Sequence, residues 1–587
     1  MPKISKPKLL KNDWISATAT HNYFNEPLLD WFKYTQPIKP HYGIQIKNYL
    51  AEQGNTFENK IVNLIEKKLK KLKMIHINGN LQARDESKAL ETFEAMKKGH
   101  HVIFSGVLHN KQNKTFGVPD LIMRSDVFNQ LMNTKVLEKK EILINAPKLG
   151  KNHWHYRIVD IKYMTLLLKS DGKTLLNGGL IPAYKSQLNI YNQALGNLQG
   201  YTPGQSYLLG RRWVYNKCGE KYCNNDCFDK LGEIDYHEKD KDYLNLTNQA
   251  IKWIKMCQTQ AAKKWNVTTY PLSNNNLYPN MSNIYDHRWH DKKVTIAKNN
   301  YELTNLWHVG KKNRLHALNK GISNWKDKKC NAKNLNVGGK TGEILNQIIK
   351  INNHKKQMIS PKKIENNLYE WQEQPTIELF IDFEFKNAVF DQLIQLPIAD
   401  TSILIFMIGV GYVENNKWQY KEFTVKNLTE KDEYHVCFKF IIFIQDLCKK
   451  YKVKNIKCWH WSFAEPSVWK NAILKYKKLH RYTNQLIWCD LLKVFQEEPI
   501  VIKGSLDFKL KHIATAMYNH GYIKTIWDDC VEDGQSALIQ TIKADSIAIK
   551  SKKTLIQIPM FKSVIKYNET DVKVLQEMIT YLRNNHI

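Results

Sequence analysis

The chain has no stretch of about 18 uncharged apolar residues, which excludes an ordinary membrane-spanning helix. Its opening residues, MPKISKPKLLKNDW, lack the continuous apolar block of a secretory signal, so a soluble, intracellular protein is expected. Cysteine is sparse, ten in 587 residues, and no CxxC pair suggests a zinc ribbon. Most cysteines, Cys437 and Cys448 among them, stand alone in apolar surroundings, as reduced buried thiols do. One group, Cys218, Cys223 and Cys227 in CGEKYCNNDC, is a candidate structural zinc site that Cys257 or His237 would have to complete; loop cysteines near a turn are the alternative. A Walker A loop is missing as well, since Asn334, two residues before NVGGKTGEIL, stands where the first glycine would be, and no ATP use is expected. No internal repeat is present. Acids are the scarcer charge, 56 against 88 Lys and Arg, giving a formal net charge of +32. Such a chain attracts polyanions, nucleic acid first among them. The other explanation is drift towards Lys, Asn and Ile in an AT-rich genome, such as that of a large DNA virus, where the protein would sit in host cytoplasm or nucleus.

What is present is enough apolar material, 43% of residues, for more than one core. Residues 1–50 read as a loosely structured lead-in with aromatic anchors, Trp14, Tyr23, Trp31 and Phe32. Residues 51–265 read as a first α/β domain. It opens on a helix with Phe57, Ile61, Ile65 and Leu69 on one stripe. Short strands follow at HHVIFSGVL, VPDLIMRSDVF and HYRIVDIKYMTLLL, then a helix at PAYKSQLNIYNQALGNL, a strand at GQSYLLGRRWVY and a helix over 240–265. Residues 266–367 read as a connector of short helices ending in a polar, basic linker, 352–367. Residues 368–587 form a second α/β domain.

In TIELFIDFEF, Asp382 and Glu384 share a strand face with Phe380, while Leu379, Ile381, Phe383 and Phe385 take the other. Two acids side by side repel, which is tolerable with a divalent cation between them or with that face in water. The last helix, YNETDVKVLQEMITYL, sets Tyr567 and Asp571 four apart on the side that continues into Val574, Leu575 and Met578. Between these ends lie His460 and Glu465 in HWSFAEP, and Asp490 closing LIWCDLL. The first domain has a parallel device. Asp160 and Lys162 share one face of YRIVDIKYM, Asp120 ends GVPDLI, Glu58 lies on the opening helix, and Gln187 and Tyr191 are four apart on a later one. An acid can hold a metal, and a neighbouring lysine can position water and neutralise charge on a phosphorane. Arg211, Arg212, Trp213 and Tyr215 interleave charge and aromatic rings, as single-strand binding uses; a strand end with core aromatics explains them equally well.

The ordered set Glu58, G-x-P-D, D-x-K and Q-x-x-x-Y resembles the RecB-like branch of the PD-(D/E)xK nucleases. The Asp-x-Glu strand, HWSFAEP and Tyr-x-x-x-Asp helix are similar to the YprB-like subfamily of the DEDD exonucleases. The fold implied is a restriction-endonuclease-like α/β core, a short helical connector with helix-hairpin-helix-like turns (Gly321 in NKGISNW, or a plain helix connection), and a ribonuclease H-like 3′–5′ exonuclease domain. By the resemblance, Glu58, Asp120 and Asp160 hold metal, Lys162 serves the water, and Gln187 and Tyr191 shape the site and contact the strand. Asp382, Glu384 and Asp571 are likewise implied ligands and Tyr567 a water-orienting group, with Glu465, or else Asp490, as the fourth acid. In the family's order this is the third acid, usually Asp, so Glu465 is a departure. The implied cofactor is Mg²⁺ or Mn²⁺. The implied partners are single- or double-stranded DNA ends, or RNA, with a helicase or repair factor compatible and no membrane. No cysteine precedes Cys218, which argues against the iron–sulfur cluster some RecB-like nucleases carry.

Overall fold

The structure, a computed structural model, describes residues 9–36, 45–283, 286–387, 390, 393–482, 485–528, 531 and 533–587. The chain is a mixed α/β protein of two compact units. Unit 1 comprises Met1–Tyr42, Leu50–Lys293 and Asp391–Thr401; unit 2 comprises Gly43–Tyr49, Val294–Phe390 and Ser402–Ile587.

The frame of unit 1 consists of helix α1 (Gln45–Lys68, from Leu50 onward) and strands β1 (Met74–His76), β2 (Val102–Phe104), β3 (Leu121–Arg124) and β4 (Tyr156–Leu167). Helix α2 (Ile181–Gln199), strands β5 (Gln205–Lys217), β6 (Glu220–Asn224) and β7 (Gly232–Asp235), and helix α3 (Asp242–Cys257) follow. The sheet runs β7-β5-β4-β3-β2-β1, with β6 extending β5. The β4–β5 and β1–β2 pairs are parallel and the rest antiparallel. Alternation along the strands decides which helix covers which face. Val159, Ile161, Leu121 and Leu209 meet Phe57, Ile61, Ile65 and Leu69 of α1. Ile158, Ile122 and Leu208 meet Leu188, Tyr191 and Leu195 of α2. Each fully buried aliphatic side chain of this kind contributes about 1.5–3 kcal/mol.

The N-terminal segment is not a loose lead-in. Leu28, Leu29, Trp31 and Phe32 are buried, and Trp31 Nε1 donates to Ala262 O at 2.7 Å. The connector is divided as well. Residues 266–293 pack with unit 1, where the buried Lys293 Nζ reaches Glu26 Oε2 at 3.1 Å, while Val294 onward belongs to unit 2.

Unit 2 contains helices α4 (Lys311–Leu318) and α5 (Gly339–Asn353) and the strands β8 (Glu378–Lys386), β9 (Leu404–Glu414) and β10 (Lys417–Thr424). Then come α6 (Glu430–Tyr451), β11 (Ile456–His460), α7 (Ala464–Lys475), β12 (Leu486–Asp490), α8 (Leu491–Glu497), α9 (Leu510–Asn519), α10 (Gly534–Lys550) and α11 (Pro559–Asn585). Its sheet runs β10-β9-β8-β11-β12, an antiparallel meander followed by two parallel strands. Leu379, Ile381 and Phe383 pack with Phe440, Ile444 and Trp469. Phe380, on the opposite face, packs with Val574, Leu575 and Met578 of α11. The polar 352–367 stretch is not a free linker: Ile359–Ser360 pairs with Val501–Ile502, and Ile364 is in the core. Gly321, at φ 75°, closes α4, and Ile322 N returns to Ala317 O at 3.0 Å; no second helix follows until α5.

Candidate functional site

The face of β8 that lies under α11 carries Asp382 and Glu384, because residues two apart on a strand point the same way. Helix α11 adds Asp571 from above. One carboxylate oxygen from each of Asp382, Glu384 and Asp571 lies within 4.8 Å of the others. Unit charges about 5 Å apart repel by roughly 3 kcal/mol at an effective dielectric of about 20, so three ionised carboxylates need a cation or protons between them. Without a cation the acids resist ionising. Burial, then the Asp571 charge, pushes Glu384 up to about 8. Burial raises Asp571 to about 7, against the pull of Lys511 and of bonds from Trp527 and Tyr567. Asp382 is driven well above the carboxylate range by burial first, and then by Asp571, Glu384 and Glu465.

Glu465 and Asp490 separate cleanly. Glu465, in the first turn of α7, is 5% exposed, and its charge bears on Asp382, Glu384 and Asp571. Burial raises its pKa, while His460, whose Nδ1 lies 3.5 Å from Oε2, opposes the rise. Asp490 instead caps α8, accepting from Lys493 N at 3.4 Å and from Ser462 N at 3.0 Å. Both bonds fall on the one oxygen, Oδ1. Of the two, Glu465 is the one whose charge bears on Asp382, Glu384 and Asp571.

The supports of the cluster were not among the residues picked from the sequence. Asn568 is fully buried; its Nδ2 donates to Asp382 Oδ2 at 2.6 Å and its Oδ1 accepts from Tyr420 OH at 3.0 Å. Trp527 Nε1 donates to Asp571 Oδ1 at 2.9 Å. Lys511 Nζ lies 4.7 Å from the centre of the Tyr567 ring. Tyr567 keeps its proton, since burial and then the Asp571 charge push its pKa far up.

In unit 1, β4 brings Asp160 and Lys162 to the α2 side, and the loop before β3 brings Asp120. The Lys162 ammonium pairs with Asp160 and lies 3.8 Å from Asp120 Oδ2. Asp120 Oδ2 also accepts from Ile161 N at 2.6 Å. Glu58 arrives from α1, and burial, against the pull of Lys162, raises its pKa. Burial opposes the Lys162 charge, but Asp160 and Asp120 outweigh it and hold its pKa up. Burial and the Asp160 charge push Asp120 well above the carboxylate range. Gln187 Nε2 donates to Tyr191 OH at 2.7 Å, and its Oε1 lies 2.7 Å from His21 Nε2. Gly117 admits the Tyr191 ring, which a side chain at 117 would overlap, so its role is close packing. His21, from the N-terminal segment, is a neighbour of the site that no local pattern announces.

Several expected contacts fall elsewhere. Gln187 and Tyr191 are 4% and 3% exposed and bonded to each other, an arrangement that helps shape the site. Arg211 is buried, 5.1 Å from the centre of the Tyr163 ring, and the Nε of the half-buried Arg212 is shielded from solvent. Arg211 is therefore not open to solvent, whereas Arg212 is partly so. Cys218 lies in the exposed β5–β6 turn, Cys223 within exposed β6 and Cys227 in the core, where burial pushes its thiol up. Among the described residues the one closed set of three metal-donor side chains is Asp382, Glu384 and Asp571. The three cysteines therefore do not assemble a zinc site with each other, with Cys257 or with His237. Nor do Glu58, Asp120 and Asp160 form a closed set while Lys162 lies among them.

The chain matches no known family model. No curated protein matches it in sequence either.

Proposed function

We propose that the protein is a metal-dependent nuclease that hydrolyses phosphodiester bonds at DNA ends, with unit 2 as its principal centre. The observation that carries this reading is the mutually repelling set of half-buried Asp382 and buried Glu384 and Asp571, with buried Glu465 acting on their charge. An all-oxygen, anionic donor set suits a hard divalent cation. Asp382, Glu384 and Asp571 would hold Mg²⁺ or Mn²⁺, with Glu465 available to a second ion. When bound, such an ion supplies charge stabilisation at the phosphoryl oxygens and lowers the pKa of a bound water. Tyr567, protonated throughout the neutral range, orients that water by hydrogen bonding. Lys511, near Tyr567, adds positive charge where a phosphate would approach.

The order of the unit 2 sheet, a meander followed by two parallel strands, supports a ribonuclease H-like reading, and the α1–sheet–α2 arrangement of unit 1 supports a restriction-endonuclease-like one. A second reading, with unit 2 as the single active centre and unit 1 as a nucleic-acid-binding module, is favoured by Lys162. Its ammonium already pairs with Asp160 and lies 3.8 Å from Asp120, where a cation would otherwise sit.

The test is degradation of end-labelled single- and double-stranded DNA, and of RNA, with Mg²⁺ or Mn²⁺. Wild type is compared with Asp382→Ala, Asp160→Ala and the double variant. Loss of cleavage in Asp382→Ala is expected; a distinct product pattern lost in Asp160→Ala marks a second active centre. Absence of wild-type cleavage on every substrate overturns the proposal.

A further inference from the structure

Two buried polar atoms in unit 2 face each other without completing a bond. His460 ends β11 in register with Asp490 of β12, and its ring meets the Trp488 ring edge-on, centroids 5.7 Å apart. Glu465 lies in the first turn of α7. Between them Ser462 takes the left-handed conformation, φ 78°, with its N–H bonded to Asp490 Oδ1 at 3.0 Å. This turn brings the two side chains together, His460 Nδ1 lying 3.5 Å from Glu465 Oε2. His460 is 2% exposed and Glu465 5%.

That separation exceeds the roughly 2.7–3.2 Å of an ordinary hydrogen bond, and neither Nδ1 nor Oε2 has a hydrogen-bond partner. Buried polar atoms are nearly always paired, so two orphans facing each other mark the place of a third group. A deprotonated imidazole nitrogen and a carboxylate oxygen are both metal ligands, and with bonds of about 2.0–2.2 Å one ion reaches both. The Glu465 charge bears on Asp382, Glu384 and Asp571, so a cation held by Glu465 would also offset the repulsion within that set. The imidazole decides which cation. Carboxylate oxygens suit Mg²⁺ and Mn²⁺ alike, whereas a nitrogen donor favours a transition metal over Mg²⁺.

We propose that His460 Nδ1 and Glu465 Oε2 form a second cation position in unit 2, one that takes a divalent transition-metal ion in preference to Mg²⁺. This rests on the metal-centre reading of unit 2 and adds to it a nitrogen donor, His460. Two protein donors leave the position open, so water or substrate oxygens complete it and it fills after the acid set.

The experiment uses the full-length chain, with excess Mg²⁺ to occupy the all-oxygen set and Mn²⁺ below one equivalent as the probe. Electron spin echo envelope modulation reads nitrogen bound to Mn²⁺. Wild type should show ¹⁴N modulation, and labelling the histidines with ¹⁵N should remove it. His460→Gln should abolish the modulation and weaken Mn²⁺ binding in the presence of Mg²⁺ by at least about tenfold. His460→Asn takes its place if His460→Gln does not fold. Wild-type Mn²⁺ bound by oxygen alone, or modulation that survives in a folded His460 variant, overturns the inference and leaves an imidazolium–carboxylate pair, with the nuclease reading intact. No Mn²⁺ binding by wild type, with or without Mg²⁺, sinks the metal-centre reading of unit 2 as well.

Discussion

Asn568 occupies the space that a side chain at Gly409 would need, since a Cβ built there overlaps Asn568 Oδ1. Gly409 pairs with Asp382 across β8 and β9, and Asn568 uses the gap to bond Asp382 through both its carboxylate and its carbonyl, at 2.6 and 3.2 Å. Gly409→Ala should therefore displace Asn568 and loosen Asp382, destabilising unit 2 by about 1–3 kcal/mol. Asn568→Ala, which leaves the site uncrowded, should cost about 1–3 kcal/mol through the unpaired polar groups. Both should weaken divalent-metal binding, which thermal unfolding with and without Mn²⁺ would show. Gly409→Ala with an unchanged melting temperature and metal response would refute this account of the gap.

Glu465 and Asp490 should part company on mutation. Glu465→Gln removes a charge from the acid cluster and should lower metal affinity with little loss of stability, because it also relieves repulsion. Asp490→Asn should cost about 0.5–2 kcal/mol as a weakened helix cap, with metal affinity less affected. Calorimetric metal titration alongside denaturant unfolding distinguishes the two; reversed effects would make Asp490 the ligand.

The raised acids fix the pH dependence of the metal-free protein. Glu384 and Asp571, held at about 8 and about 7, are protonated when folded at a pH where the unfolded chain would have them ionised. Their contribution to stability is fully present below about pH 4 and is lost as pH rises through 7 to 8. A divalent cation binds the ionised form, so metal-induced stabilisation should grow from pH 6 to pH 8.5 with proton release. Equal thermal shifts at both pH values would contradict this.

His155 works in the opposite sense. Burial, and then Arg157, push it down to about 3. Arg157 Nε donates to its Nε2 at 2.9 Å, a bond that only the neutral ring accepts. Unfolded, the residue titrates near 6.5, so its neutral state supports folding above that pH, and the support drains away as pH falls towards 3. The stability advantage of wild type over His155→Asn should shrink between pH 7 and pH 5; a constant advantage would show that the ring does not stay neutral.

What the sequence made legible was periodic. The period of two put Asp382 and Glu384 on one face and Leu379, Ile381 and Phe383 on the other, and the period of four joined Tyr567 to Asp571 and Phe57 to Ile61. What stayed hidden depends on register between distant segments. Asn568 matters only because β9 sets Gly409 opposite Asp382, and His21 only because the N-terminal segment packs on α2. The 352–367 stretch reads as linker because its buried residues, Ile359 and Ile364, are isolated apolar side chains in basic sequence, too few to make a pattern. Arg211 reads as a phosphate ligand because sequence cannot show that a strand end is covered.

The most direct measurement is Mn²⁺ binding followed by electron paramagnetic resonance, comparing wild type with Asp382→Asn/Asp571→Asn. Wild type should bind Mn²⁺ at unit 2, and the double variant should lose that binding while remaining folded. Equal Mn²⁺ binding by the two proteins, or none by wild type, would contradict the claim that the buried acids of unit 2 form a metal centre.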